Sequence, residues 1–325
     1  MATLTGAQSS YAYKGWIVSN NVYNAGGLTY GSDYSVQTTY SPTDLTDGVV
    51  FSWSVPNGSS VIAYPELIYG PSPNLGGTDP TDTTHALPVQ LNSITSASVS
   101  YSLALGGNTA GYAVALDLWL TNQPNGGPNS IATEIEVWVH KGAVSPSGLY
   151  LGVYQDANYN VSIYYQPIAS NPYVPGSPSF KQLTLVSNTD TLGGTFDVGS
   201  VIGILKQNGL ITGQEYLADI ELGAKVEAGQ GSLTVNNFSA SISTASNTYT
   251  LGSGTWAASG PGLSATTDNG ALTLNAGHLV TLKLVGTSTY TVTGTPTLQL
   301  NDNETAIYSS GSGTNTLTFT YMVQP

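Results

Sequence analysis

The sequence predicts an all-β protein, an antiparallel sandwich or jelly roll, from three observations. Short runs that alternate apolar and polar residues fill residues 1–244, and turn-forming residues separate them. The 325 residues include 38 Gly and 21 Tyr but only 8% charged residues, so residues that favour helices are few. Helical spacing of apolar residues occurs in one segment of this region. Short strands at this density are typical of a sandwich or a jelly roll.

The alternating segments predict strands whose two faces differ in polarity. Residues two apart in a strand share a face, so alternation gives each strand one apolar and one polar side. In order along the chain, the segments are GVVFSWSV, SVSYSLAL, YAVALDLWL, EIEVWVH, LYLGVY, NVSIYYQPI, YLADIELGAKVE and SLTVNNFSASI.

One segment, FDVGSVIGILKQNGL, predicts a helix over residues 199–208. Asp197 or Ser200 could cap its start, and Gly209 could end it. We expect this helix to lie against a sheet. The apolar residues at helical spacing are Val198, Val201, Ile202 and Leu205.

The composition changes after Ile242, which predicts a domain boundary: residues 1–244 form one domain and residues 245–325 a second. The second region is rich in Ser, Thr and Gly and alternates like a small immunoglobulin-like β domain. It resembles the tandem β repeats of large secreted bacterial proteins. Its abrupt ending at MVQP suggests that a last strand is cut off.

Charge and composition exclude several classes of partner. A net charge of −13 argues against nucleic acid, which requires a basic surface, and against anionic membranes. No apolar run reaches the roughly 18 residues of a transmembrane helix. With no cysteine, the chain has neither disulfides nor thiolate metal ligands. The polar surface with few lysines predicts a secreted protein, which we expect to be a monomer.

Three of the predicted strands carry acids on their polar faces. Two explanations are open: these are solvent-facing sides of ordinary strands, or they line a cleft. Acids beside tryptophan favour a carbohydrate cleft, because glycoside cleavage uses two carboxyl groups and sugar rings stack on aromatic side chains. The polar-face residues are Asp117 and Trp119 on the first strand, Glu134, Glu136, Trp138 and His140 on the second, and Asp219, Glu221, Lys225 and Glu227 on the third.

At these residues the chain resembles glycoside hydrolase family 12, the endo-β-1,4-glucanases and xyloglucanases, over residues 1–244. TEIEVWVH is similar to the family's nucleophile strand, where a Trp follows the nucleophile by four residues; this implies Glu134. LGAKVEAGQG is similar to the acid/base segment, where small residues precede the Glu and a Gly follows by four; this implies Glu227. ALDLW is similar to the strand whose Asp supports the nucleophile, which implies Asp117.

The resemblance implies a jelly roll of two curved antiparallel sheets with the helix on the convex side. It also implies an endo-acting, retaining hydrolase that cleaves internal β-1,4 linkages of β-glucans without metal or cofactor. The substrate would contact residues of the cleft strands and of the weaker matches SNNVYN and FSWSV. These residues are Asn21, Tyr23, Trp53, Trp119, Glu136 and Trp138.

The chain departs from the family pattern at two of these positions. Glu136 replaces a Met, and Tyr23 replaces a Trp that serves as a sugar platform. Two carboxylates on one face raise each other's pKa, so we expect Glu136 to hold a proton while Glu134 stays ionised. Lys225 is either a surface charge or a residue that tunes the acid/base. The rival interpretation of the whole domain is a non-catalytic carbohydrate-binding sandwich of a secreted adhesin-like protein.

Overall fold

The computed structural model describes residues 1–58, 60–75, 87–124, 126–155, 160–172, 174–244, 246–250, 255–260, 263–268, 271–275, 277–300 and 304–323. The chain forms two compact units. The first contains Met1–Leu91 and Ser96–Ile242, and the second contains Asn92–Thr95 and Ser243–Pro325.

Among the described residues of 1–244, the structure has two β-sheets, one α-helix and four short 3-10 turns. The turns are Pro73–Leu75, Leu91–Ser93, Thr109–Gly111 and Pro128–Ser130. The strands are β1 Ala2–Thr5, β2 Ser10–Tyr13, β3 Trp16–Ser19, β4 Ser35–Tyr40, β5 Val49–Val55, β6 Glu66–Tyr69, β7 Val89–Gln90, β8 Ile94–Gly107, β9 Tyr112–Thr121, β10 Ile131–His140, β11 Leu149–Gln155, β12 Asn160–Ala169, β13 Phe180–Ser187, β14 Gly193–Asp197, β15 Tyr216–Val226 and β16 Gly229–Thr244.

The strands form a six-stranded first sheet and a ten-stranded second sheet, which confirms the predicted jelly-roll class. The first sheet has the order β1-β4-β5-β16-β8-β14. The second has the order β11-β12-β13-β10-β9-β15-β6-β3-β2, with β7 also beside β15. One pair, β10 and β13, is parallel instead of antiparallel. After β10 the chain forms the β11–β12 hairpin at the edge of the sheet. It then returns as β13, which lies between β12 and β10 and runs in the same direction as β10.

Aromatic contacts join the apolar faces of the two sheets. The Trp53 ring on β5 meets the Tyr112 ring on β9 edge-on, with centroids 4.7 Å apart. Trp16 on β3 likewise meets Phe238 on β16 at 5.5 Å. Leu116 and the other apolar residues of β9 are buried. Because faces alternate along a strand, the polar faces of β9, β10 and β15 point away from the first sheet.

The predicted helix is present as α1, Val198–Gln207, and its four predicted apolar residues are buried. Asp197 is the N-cap, since its side chain accepts hydrogen bonds from Ser200 N at 2.9 Å and from Ser200 Oγ at 2.7 Å. Gly209, with φ of +68°, follows the helix end. No helix among the described residues is long and apolar enough to cross a membrane.

The second unit is also all-β, as predicted. The strands are β17 Ser246–Thr250, β18 Thr255–Gly260, β19 Leu263–Asp268, β20 Ala271–Asn275, β21 Leu279–Tyr290, β22 Thr297–Gln299, β23 Thr305–Ser310 and β24 Thr314–Met322. The six-stranded antiparallel sheet has the order β19-β18-β21-β24-β23-β22, and β17 pairs with β20. The unit has its own buried core, which includes Val280, Leu282, Ala306, Phe319, Tyr321 and Val323.

Candidate active site

The three acid-bearing strands are neighbours in the second sheet, with β9 between β10 and β15. Their register places Glu136 opposite Asp117, and Asp117 opposite Glu221. One row further along, Glu134 lies opposite Trp119, and Trp119 opposite Asp219. The predicted polar faces therefore combine into one surface.

Three carboxylates form the centre of this surface, and we call Asp117, Glu134 and Glu136 the carboxylate group. Each offers an oxygen, and these oxygens all lie within 4.8 Å of one another. The three residues are only 0%, 4% and 3% exposed. Burial, followed by the charge of Glu136, raises the pKa of Glu134 well above its usual value. Burial likewise raises the pKa of Asp117 to about 8.

Glu136 is held by four hydrogen-bond donors. Trp138 Nε1 and Thr184 Oγ1 donate to Oε2 at 2.9 and 3.0 Å, while Gln182 Nε2 and Lys225 Nζ approach Oε1 at 3.2 and 2.5 Å. Since all four partners are donors, Glu136 is held as the carboxylate. This arrangement contradicts the expectation that Glu136 carries the proton of the pair.

Glu134 has a freer carboxyl group than Glu136. Gln182 Nε2 donates to its Oε2 at 2.7 Å. Within the described part of the chain, no donor reaches its other oxygen. An oxygen with unused lone pairs is what a nucleophile requires, and this difference favours Glu134 over Glu136 for that role.

Lys225 is buried beside the carboxylate group, so it is not a surface charge. Its Nζ lies 2.5 Å from Glu136 Oε1 and 3.6 Å from Asp117 Oδ2, and the residue is 7% exposed. The ammonium also lies 4.9 Å from the centroid of the Tyr64 ring. Burial alone would lower the pKa of Lys225, but Asp117, Glu136 and Glu134 outweigh it and raise that pKa well above its usual value. The Lys225 ammonium thus supplies a positive charge beside three carboxylates whose oxygens are close enough together to ligate a metal ion.

Glu227 stands apart from the carboxylate group. Strand β15 ends at Val226, and the N–H groups of Glu227 and Ala228 both donate to Gly111 O, each at 3.0 Å. Glu227 therefore lies beyond the strand, where the alternation of faces that places Lys225 no longer determines its direction. Glu227 is partly exposed. Burial raises its pKa, and no charge of the carboxylate group contributes. The predicted pairing of Glu134 with Glu227 is therefore not supported by any contact of the described residues.

The sequence contained a signal for Lys225 that the prediction missed. The pattern applied to Glu227, small residues before and a glycine four residues after, fits Lys225 as well: Gly223 and Ala224 precede it and Gly229 follows. Position 223 has no room for a side chain, because a Cβ there would lie 2.7 Å from Pro65 O and 2.8 Å from the Tyr64 ring.

Three further acids lie on the other side of Asp117, and we call Glu66, Asp219 and Glu221 the acid triad. Within the described residues, no donor reaches Glu66 Oε2 or either carboxyl oxygen of Asp219. A buried carboxyl group that lacks donors favours its neutral, protonated form. Burial, followed by the charge of Glu221, raises the pKa values of Glu66 and Asp219 well above their usual range. All three are at most 4% exposed.

The predicted sugar-binding tryptophans are covered by other side chains. Trp119 is 0% exposed, donates from Nε1 to Glu221 Oε2 at 2.9 Å, and meets the Phe180 ring edge-on at 5.4 Å. Trp138, at 3% exposure, packs against Tyr64. Trp53 is a correction: it lies between the two sheets against Tyr112, on the face opposite the carboxylate group. Its position on β5 of the first sheet points it into the core.

Asn21 and Tyr23 both lie at the site and are partly exposed. Asn21 Nδ2 donates to Glu66 Oε1 at 2.7 Å. Tyr23 packs against the cluster around Trp138 and interacts with the charges of Lys225 and the carboxylate group. Unlike the two buried tryptophans, both side chains are partly exposed at this surface, and their contact with a substrate stays a prediction.

His140, expected on the same face as Trp138, is turned away by a bulge. Trp138 pairs with Ala115, but His140 pairs with Val114, so β10 gains one residue between them. The His140 ring lies 5.5 Å from that of Tyr112, and its Nδ1 lies 2.9 Å from Asp190 Oδ2.

An apolar cavity of about 540 Å³ lies beneath α1 and is separate from this site. Val137 and Leu185 line it, together with Leu205 of the helix. Val137 points to the face of β10 opposite Glu136, so the cavity and the carboxylate group lie on opposite sides of the second sheet.

A family model described as "Glycosyl hydrolase family 12" matches residues 50–243. A search of curated proteins finds no match. Solved structures do match. A native family 12 xyloglucanase from Bacillus licheniformis has 20% identity and a TM-score of 0.63, covering 74% of this chain and 100% of its own. An endoglucanase from Rhodothermus marinus has 19% identity and a TM-score of 0.60, covering 75% and 100%.

The third such structure is endoglucanase 3 of Trichoderma harzianum, with 20% identity and a TM-score of 0.59 over 74% of this chain and 97% of its own. At these identities the structural similarity establishes the fold alone. The family model rests on the sequence itself and covers more than half of the chain.

Proposed function

Because this chain belongs to glycosyl hydrolase family 12, we propose that it binds β-1,4-linked glucan chains on the polar face of its second sheet and cleaves β-glucosidic bonds with retention through Glu134. Family membership supports glycosidic bond cleavage. The structural relatives named as endoglucanases and a xyloglucanase support a β-glucan as the chain that is recognised.

The observation that carries the proposal is the state of Glu134. This carboxyl lies on the polar face beside two further carboxylates, is oriented by Gln182 at 2.7 Å, and keeps one oxygen without a donor among the described residues. In a retaining mechanism such an oxygen attacks the anomeric carbon and forms a covalent glycosyl-enzyme, which water then hydrolyses. Asp117, which is fully buried beside it, would support the nucleophile's orientation.

Trapping of the glycosyl-enzyme tests the proposal. A dinitrophenyl cellotrioside with fluorine at C2 should label the chain once, and peptide mass spectrometry should place the label on Glu134. Glu134→Ala should remove labelling and reduce turnover of the matching non-fluorinated glycoside by at least about 10³-fold. Labelling of Glu136 would move the nucleophile to that residue. An α-configured first product in proton NMR would contradict retention.

A second candidate, binding of β-glucan without cleavage, is favoured by the separation of Glu227 from the carboxylate group. Retaining enzymes place their two carboxyl groups roughly 5–5.5 Å apart, and no contact brings Glu227 to Glu134. Under this candidate, cellotetraose binds by calorimetry but the fluorinated glycoside leaves no label. Endo-cleavage of internal linkages, which requires a proton donor, stays a prediction.

A further inference from the structure

Lys225 lies where a glycosidase needs a proton donor. The first step of retaining cleavage combines attack by a carboxylate with protonation of the leaving oxygen by a nearby acid. Beside Glu134, the charged side chains in electrostatic contact are Glu136, Lys225 and Asp117. One of these three would have to donate if no other group reaches the bond.

None of the three is arranged to donate. Glu136 accepts from four donors and has no proton to give. Asp117 is 0% exposed, between its neighbouring strands, so a sugar oxygen cannot reach it. The Lys225 ammonium is bound to Glu136 at 2.5 Å and lies 3.6 Å from Asp117, so its proton is retained by two carboxylates.

The remaining acids near the site are also not placed to protonate the leaving oxygen. Glu227 lies beyond the end of β15, is partly exposed, and no charge of the carboxylate group contributes to its pKa. The acid triad lies on β15 and β6, on the other side of β9 from Glu134, and its members are at most 4% exposed. A permanent positive charge, however, stabilises a negative charge that develops on a leaving oxygen, and it does so best in a buried site.

Resting on the proposed function of Glu134, we propose that this site cleaves β-glucosides whose aglycone departs as an anion, such as phenol or carboxylic acid conjugates, and that Lys225 neutralises the departing oxygen. Glu134 Oε1 or Oε2 bonds to C1 as the C1–O bond to the aglycone breaks, and the electron pair leaves with the aglycone oxygen. Water then bonds to C1, Glu134 is released as a carboxylate, and the water's proton passes to solvent.

A matched pair of substrates tests this in the unaltered chain. Dinitrophenyl β-cellobioside needs no acid for departure, whereas cellotetraose does. General acid catalysis contributes about 10²–10⁴-fold, so we expect at least that ratio of turnover in favour of the aryl glycoside. Across a series of aryl cellobiosides, the rate should fall steeply as the aglycone becomes less acidic. Rapid β-glucan hydrolysis that is abolished by Glu227→Gln would overturn the proposal and return the donor role to Glu227.

Substitutions at the ion pair test the role of Lys225 itself. Lys225→Met should steepen the dependence of rate on aglycone acidity, a readout that a merely structural role would not move. The double variant Lys225→Glu with Glu136→Met exchanges the ion pair for one carboxyl, and it should raise cellotetraose hydrolysis by roughly 10²-fold. Lys206→Met, which removes a lysine from α1, is the matched control and should change neither. A flat dependence on aglycone acidity in both the unaltered chain and Lys225→Met would overturn the proposal.

The trapping experiment separates this inference from the proposed function. Labelling of Glu134 together with equal turnover of aryl glycoside and cellotetraose would retain the nucleophile and overturn the role of Lys225. The absence of both label and aryl turnover would overturn the proposed function. If the double variant does not fold, as seen by circular dichroism, the substrate pair and Lys225→Met decide the matter.

Discussion

Glu134 keeps its proton to higher pH than an exposed glutamate because burial and the charge of Glu136 both favour its neutral form. A nucleophile must be ionised, so turnover of an aryl cellobioside should fall as pH drops through this raised pKa. The positive charge of Lys225 acts in the opposite direction and lowers the pKa of Glu134. The acidic limb of the pH–rate profile therefore reports how charge is shared among these side chains.

Glu136→Gln should move this acidic limb to lower pH. The change removes a negative charge beside Glu134 and frees the Lys225 ammonium to interact with it, and both effects lower the pKa of Glu134. The measurement is kcat/KM against pH on dinitrophenyl β-cellobioside. Glu304→Gln, which removes an exposed carboxylate of the second unit, is the control. An unchanged acidic limb would show that the charge of Glu136 does not affect Glu134. Complete loss of activity that azide restores would show that Glu136 is the nucleophile.

At the scale of elements, β6 and β15 bury the acid triad with its protons. A carboxyl whose pKa is higher in the folded than in the unfolded chain binds more protons when folded. The free energy of unfolding then falls as pH rises above the unfolded pKa and towards the folded one. For Glu66 and Asp219 the ordinary values are 4.5 and 3.8, and both are raised in the fold. The triad therefore stabilises the fold at acidic pH and loses this contribution as pH rises.

Asp219→Asn should flatten this pH dependence. The amide needs no titratable proton at this buried position, so the variant loses less free energy of unfolding as pH rises above the ordinary carboxyl pKa. The loss for one carboxyl is at most about 1.4 kcal/mol per pH unit. Urea unfolding, followed by tryptophan fluorescence from weakly acidic to weakly basic pH, measures it. Asp47→Asn, at an exposed turn, is the matched control. An equal slope in parent and Asp219→Asn would show that Asp219 does not hold a proton in the fold.

At the scale of the whole molecule, the first unit contains every residue of the candidate site. The first unit ends at Ile242, and the second unit has a separate core around Phe319. A chain ending after Ala245 should therefore fold and cleave soluble aryl glycosides at a rate within about twofold of the full chain, as expected for an independent domain. Circular dichroism and turnover measure this. Lost turnover in a folded truncated chain would assign the second unit a part in the site.

The predictions from sequence succeeded where the cause is local. Alternation with period two placed Glu134 and Glu136 on one face, and the structure shows them with adjacent carboxyl oxygens. Helical spacing and the Asp197 cap located α1 to within one residue of its bounds. Backbone geometry couples neighbouring residues directly, so these features can be inferred from a short stretch of chain.

Only the tertiary structure decided which polar residues meet. The sequence by itself determined the strands, their faces, the helix and the family resemblance. Strand register across β10, β9 and β15, whose residues are distant along the chain, brought Lys225 to Glu136. Strand β15 ends at Val226, so Glu227 does not continue that face, and a bulge between Trp138 and His140 turned His140 away. Sheet packing buried Trp53 against Tyr112. Pairing between distant strands depends on the packing of all of them together, and a bulge adds one residue without changing the local alternation that the sequence displays.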